Sequence, residues 1–154
     1  MNTIREQLSQ NSLTRNVISG LGATRTLNAN ETDSLIILDR AAGTVVTLPT
    51  AAPGLEFEFM VSVTNTTPSY KIITSAGTEL LVGQILNCDT DSSDAVAIWK
   101  SLVATSNIAV TMNGTTTGGI KGDRVKFTCL NSTTWLVEGN LNANGVVATP
   151  FATS

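Results

Sequence analysis

The chain contains no histidine, and this absence removes more chemistry than any other feature of its composition. Without an imidazole it cannot supply a Ser-His-Asp triad or a Cys-His pair, and it has no histidine metal ligand. Charge is scarce as well. Asp, Glu, Lys and Arg make up 14% of the 154 residues, against roughly 25% in ordinary globular domains. A net charge of −3 excludes the basic footprint by which nucleic-acid-binding domains are recognised. No apolar run approaches the ~20 residues that span a bilayer. Residues 1–20 lack the basic start and apolar centre of a secretory signal, so Cys88 and Cys129 are expected as two reduced thiols. Aromatic side chains are only 5% of the chain, too few for a broad stacking platform beside a core. The composition therefore leads to the expectation of a non-enzymatic domain with no cofactor and no metal.

Hydroxyl and amide side chains fill the space that charge leaves: 24 Thr, 13 Ser and 13 Asn, about a third of the sequence. Residues 1–26 read as a polar N-terminal arm, with Arg5, Arg15 and Arg25 set against the single acid Glu6. Ile4 and Leu8 are spaced for one helical turn, as are Leu13, Val17 and Leu21. Gln7, Gln10 and Asn11 interrupt any continuous stripe, and Gly20 and Gly22 end whatever helix might start.

From residue 27 the period is two. In 55–63, Leu55, Phe57, Phe59, Val61 and Val63 face one side, and Glu56, Glu58 and Ser62 face the other. The run 35–38 is wholly apolar and predicts a strand buried on both faces. Further strands are expected at 44–48, 70–74, 79–82, 95–99, 108–112 and 123–130, and a last one at 134–138 that closes a hairpin through Asn131-Ser132-Thr133. Short strands at this spacing, with Gly, Pro and Asn between them, predict an all-β fold. The expected architecture is a single antiparallel β-sandwich or barrel (jelly-roll or β-tulip-like) over 27–141. The N-terminal arm and a C-terminal tail, 142–154, are expected to be extended. A faint echo links 45–48 and 57–59 to 108–112 and 125–127.

Several constellations invite a chemical reading. Asp89, Asp91 and Asp94 form the densest acidic cluster, but the EF-hand glycine is missing and the twelfth position from Asp89 is Lys100 rather than Glu. Glu56 and Glu58 lie on one strand face about 7 Å apart, within the ~5–9 Å used by glycosidase pairs, yet an exposed polar face explains both. Cys129 is in phase with Val125 and Phe127, as a small core residue would be. The loop 114–119 has the glycines of a phosphate cradle without the Lys-Ser/Thr pair or the following helix, and reads as a mobile loop. Trp135, beside a turn, and Tyr70 are the aromatics to consider for sugar stacking; a core position at the rim explains Trp135 equally well.

The runs Ser34–Pro49 (SLIILDRAAGTVVTLP) and Ala51–Phe59 (AAPGLEFEF) resemble small β-rich virion proteins of tailed bacteriophages. Gly122–Leu130 (GDRVKFTCL) with Trp135–Gly139 (WLVEG) is similar to the closing hairpin of those proteins. A domain of this size with a polar N-terminal arm looks most like a capsid decoration (cement) protein. The resemblance implies a virion location on the outer capsid surface after synthesis in the host cytoplasm. It implies the major capsid protein as partner, a homotrimer as the binding form, and no nucleic acid or membrane partner. It places capsid contacts in residues 1–25, with Arg5, Arg15 and Arg25 as anchors. A trimeric tail-fibre, spike or baseplate module is the alternative within the virion. A carbohydrate-binding β-sandwich, using Trp135, Tyr70 or the Asp89–Asp94 loop, is the alternative outside it.

Overall fold

A computed structural model describes residues 14–91 and 96–154. Twelve strands are found among the described residues: β1 (Val17–Ile18), β2 (Thr24–Thr26), β3 (Ser34–Leu38), β4 (Val45–Thr47), β5 (Glu56–Val61), β6 (Tyr70–Ile73), β7 (Leu80–Asp89), β8 (Val96–Ser101), β9 (Ala109–Met112), β10 (Arg124–Asn131), β11 (Thr134–Ala143) and β12 (Phe151–Ala152). They form a seven-stranded sheet, ordered β1-β3-β5-β10-β11-β7-β8, and a five-stranded sheet, ordered β12-β9-β6-β4-β2. The two sheets pack face to face, so the all-β sandwich expected from the period of two is the fold.

Strand direction departs from the expected antiparallel pattern. Up to β7 the chain alternates between the sheets, each strand crossing to the opposite layer. It therefore returns beside the strand before last in the same direction: β1, β3 and β5 are parallel in the large sheet, and β2, β4 and β6 in the small one. Antiparallel neighbours come from the hairpin-like returns β7–β8 and β10–β11 and from the later strands laid beside earlier ones, β10 on β5, β9 on β6 and β12 on β9. The long pairing of β7 with β11 is parallel again. At Gly83 in this pairing, φ is +128° and an added Cβ would lie 2.1 Å from the Val137 carbonyl oxygen, so the close approach of the two backbones requires glycine. Both halves of the faint echo cross from the small sheet to the large one, as β4 to β5 and as β9 to β10.

The core lies between the layers. Phe57, Phe59 and Val61 of β5 point into it, as the alternation predicts, beside Phe127 of β10 and Trp135 of β11. Phe59 and Phe127 meet edge to face at 5.5 Å. Val46, Tyr70, Ile72, Val110 and Met112 close the core from the small sheet. Cys129 is buried in phase with Phe127, and both cysteines are free thiols. β3 differs from its expected burial on both faces, because Leu35 and Ile37 are only half-buried on the outer side.

The described parts of the two arms belong to the sandwich. Val17 and Ile18 pair with Leu35 and Ile36, and Thr24–Thr26 pair with Val45–Thr47, so 17–26 contributes a strand to each sheet. In the tail, Asn142 and Ala143 complete β11. Phe151 is buried and pairs with Val110, which ties the C-terminal end to the small sheet. Arg5 and the rest of 1–13 lie outside the described residues.

Candidate functional site

The outer face of the large sheet carries two contrasting halves. On β5 and β10, period-two geometry turns Glu56, Glu58, Arg124, Lys126 and Thr128 outward, while their neighbours Phe57, Phe59, Val125 and Phe127 fill the core. The register sets Lys126 opposite Glu58 and Thr128 opposite Glu56. Glu58 receives hydrogen bonds from the guanidinium groups of both Arg15 and Arg124. The Lys126 ammonium lies 3.0 Å from Glu56, and the Thr128 hydroxyl donates to Glu56 at 3.2 Å.

Burial works to raise the Glu58 carboxyl, but the two guanidinium groups outweigh it and hold the group below the ordinary glutamate range. The Lys126 hydrogen bond holds Glu56 low against its own partial burial. A glycosidase needs one carboxyl raised to act as acid, and this pair has both lowered. Glu58 instead ties Arg15, just before β1, to the sheet, and Glu56 braces β5 against β10. A carboxylate whose folded pKa is depressed adds stability above its unfolded pKa, and this is lost as pH falls through the folded value. Replacing Glu58 with Gln is expected to cost about 1 kcal/mol at pH 7, a modest loss because both guanidinium partners reach solvent, and nothing at a pH where Glu58 is protonated. Urea unfolding of both proteins from pH 7 to pH 2 checks this; a constant difference across the range contradicts it.

The anchor arginines have intramolecular partners. Arg15 also donates from Nε to the Asp33 carbonyl at 2.8 Å and from Nη2 to the Ser34 carbonyl at 3.1 Å. Arg25, on β2 of the small sheet, is hydrogen-bonded to Glu31. Arg15 and Arg25 thus serve different sheets and do not form one cationic patch.

The aromatic candidates are core residues. Trp135 and Tyr70 are fully buried; the Tyr70 hydroxyl donates to the Val63 carbonyl at 2.8 Å, and the Trp135 indole N–H donates to Glu79 at 3.4 Å. Neither can present a ring to a sugar, contrary to the stacking role expected for them. In the acidic loop, the Asp89 carboxylate accepts the backbone N–H groups of Asp91 and Gly145, while 92–95 lie outside the described residues. The loop at 114–119 is closed on itself rather than open. The Asn113 side-chain oxygen accepts the backbone N–H groups of Thr115, Thr116 and Thr117, and the Gly114 N–H donates to the Gly118 carbonyl at 2.7 Å. The donors that would cradle a phosphate are already engaged.

Two buried carboxylates escaped the sequence reading. Asp123 accepts the Gly119 and Ile120 N–H groups on one oxygen and the backbone and side-chain N–H groups of Asn142 on the other, at 2.7–3.0 Å. Glu79 accepts from the Ala51 N–H and the Ser75 hydroxyl, both at 2.9 Å, and from Trp135. Both join distant segments. The only sequence signal was an acid beside a glycine or at the head of an apolar run.

The other half of the outer face, on β7, β8 and β11, is largely apolar. Val96 and Ile98 of β8 are 64% and 58% exposed, and Leu102 just beyond is 59% exposed. β8 is an edge strand of six residues without proline, whereas β1, β2 and β12 at the other edges have two or three. Edges of this length are normally shortened, charged or covered.

Comparison with known protein families, curated proteins and solved structures finds no match to this chain. The fold and the face together define the class to which the protein belongs: a two-layer β-sandwich of mixed strand direction with an exposed apolar sheet edge. Among the described residues, no helix is long and apolar enough to cross a membrane.

Proposed function

We propose that this chain is a structural protein of a tailed-phage virion, a capsid decoration protein that binds the outer surface of the icosahedral shell and bridges neighbouring capsomers. The observation that carries this reading is the surface around β8. Val96, Ile98 and Leu102 are exposed on a face whose charged side chains are Lys100 and Glu138, in a chain with little charge overall and a third of its residues Thr, Ser or Asn. Interface cores are depleted in charge in the same way, and Thr, Ser and Asn lose less rotamer freedom on burial than Lys or Glu. The resemblance of the 34–59 and 122–139 runs to phage virion proteins gives that assembly its identity. On this reading the major capsid protein is the partner, and three chains associate so that three modest patches act together. Arg15 and Arg25 already have partners within the chain, which leaves Arg5 as the anchor in the N-terminal segment.

Deleting 1–25 would remove β1 and two of the three residues of β2, so the informative truncation is 1–13, which spares every described strand. Co-sedimentation with assembled shells is expected to fall about 100-fold for that truncation, the loss that follows when multivalent contacts are cut, while circular dichroism keeps the β signal. Unchanged binding removes the segment from the mechanism. Failure of the full chain to bind shells overturns the decoration reading.

A further inference from the structure

The apolar half of the outer face carries one charged row among the described residues, and the order of its side chains is distinctive. The register places Glu138 of β11 opposite Gln84 of β7, and Gln84 opposite Lys100 of β8. Directly paired residues share a face, so an anion, an amide and a cation stand side by side at the ~4.8 Å strand spacing. All three are exposed. Among the described residues, Glu138 and Lys100 have no ion-pair partner and the Gln84 amide has no hydrogen bond, although Lys126, across from Glu138, is paired with Glu56. On one side of the row lie Asn140, Leu86 and Ile98; on the other lie Leu136, Val82 and Leu102, and each group lines a shallow depression.

A row ordered anion, amide, cation is its own complement after a half-turn. If the two-fold axis runs along β7 in the plane of contact, Lys100 meets Glu138 of a second copy, Glu138 meets Lys100, and the two Gln84 amides meet each other, each able to donate and accept. The same rotation sets Leu86 on Leu86, Val82 on Val82 and Leu136 towards Leu102, while Ile98 meets the side chain of Asn140, so the row of Val82, Leu102 and Leu136 is covered by its own apolar copy and the row of Leu86 and Ile98 is covered in part by an amide. We propose that the outer face of β11, β7 and β8 binds a second copy of this chain face to face, with reciprocal Lys100–Glu138 ion pairs around a central Gln84 pair. A contact of this kind satisfies the two unpaired charges and removes the exposed Ile98 and Leu102 from water. It does not depend on the phage reading, but it covers the same β8 surface, so on that reading a second copy and the shell compete for this face.

The test uses the full chain in solution without shells, so that its failure and that of the decoration reading are distinguishable. Sedimentation equilibrium of the unaltered protein is expected to give a species of two chains, or of six if three-fold association also occurs. Glu138→Lys or Lys100→Glu alone places like charges together and is expected to raise the dissociation constant at least about tenfold. The double variant K100E/E138K restores the opposite pairs and is expected to return it to near the original value. As a second readout, Gln84→Cys in a Cys88→Ser background is expected to form a disulfide-linked dimer under mild oxidation. A monomer up to about 100 μM, a double variant no better than the single ones, or a Q84C/C88S protein that does not cross-link overturns the proposal.

Discussion

Replacing Trp135 with alanine is expected to lower the unfolding free energy by about 3–5 kcal/mol, the usual range for truncating a fully buried large aromatic side chain. Trp135 lies at the first inward position of β11, 6.3 Å from the Phe57 ring, and its register partners are Cys129 and Leu81. Removing the indole opens a cavity between β10, β11 and β7. It also takes a donor from Glu79, a buried acid that keeps only the Ala51 N–H and the Ser75 hydroxyl. Trp135→Phe refills most of the volume but not that hydrogen bond, and is expected to cost about 1–2 kcal/mol. The separation between the two variants in urea unfolding checks the account. A loss below about 1 kcal/mol for Trp135→Ala would mean that the side chain is not in a packed core.

Asp123→Ala is expected to cost about 3 kcal/mol or more, because buried donors of the 119–120 turn and of Asn142 would lose their acceptor together. The carboxyl closes the segment before β10 onto β11, so the loss should appear as local opening of both in hydrogen exchange. Its pH behaviour runs opposite to that of Glu56 and Glu58. Burial raises the Asp123 pKa above the ordinary aspartate value, against the pull of its hydrogen bonds. The folded state therefore holds the proton more tightly than the unfolded chain does. The stability this contributes is complete below the unfolded pKa and is lost as pH rises through the folded one. Asp123→Asn removes that pH dependence. If the pH slope of stability in the acid range is the same in the Asn variant, Asp123 is not its source.

Much of the sandwich was legible because inward-facing side chains must alternate. The alternation in 55–63 predicted β5 and its core face, and the 123–130 and 134–138 pair predicted the β10–β11 hairpin. The antiparallel expectation failed because a period of two reports which face is buried and is silent on strand direction. Direction depends on which earlier strand each new strand is laid beside, as β3 parallel to β5 and β10 antiparallel to β5 show. β7 and β11 run several residues beyond their apolar signals because Gly83, Gln84, Asn140 and Asn142 break the pattern while the backbone pairing continues. β1, β2 and β12 are too short to show a period at all. The pairing of Arg15 with Glu58, 43 positions apart, and the burial of Asp123 and Glu79 depend on tertiary placement that no local pattern encodes. The row Glu138, Gln84, Lys100 is invisible for the same reason, since its members come from three strands joined only by register.

The proposal that this domain coats a phage shell is tested most directly by its copy number relative to the major capsid protein in purified virus particles from its source, by quantitative mass spectrometry. A decoration protein is expected at a ratio near stoichiometric, because it occupies sites repeated over the whole shell. A ratio of a few per cent, or absence from the particles, would contradict it.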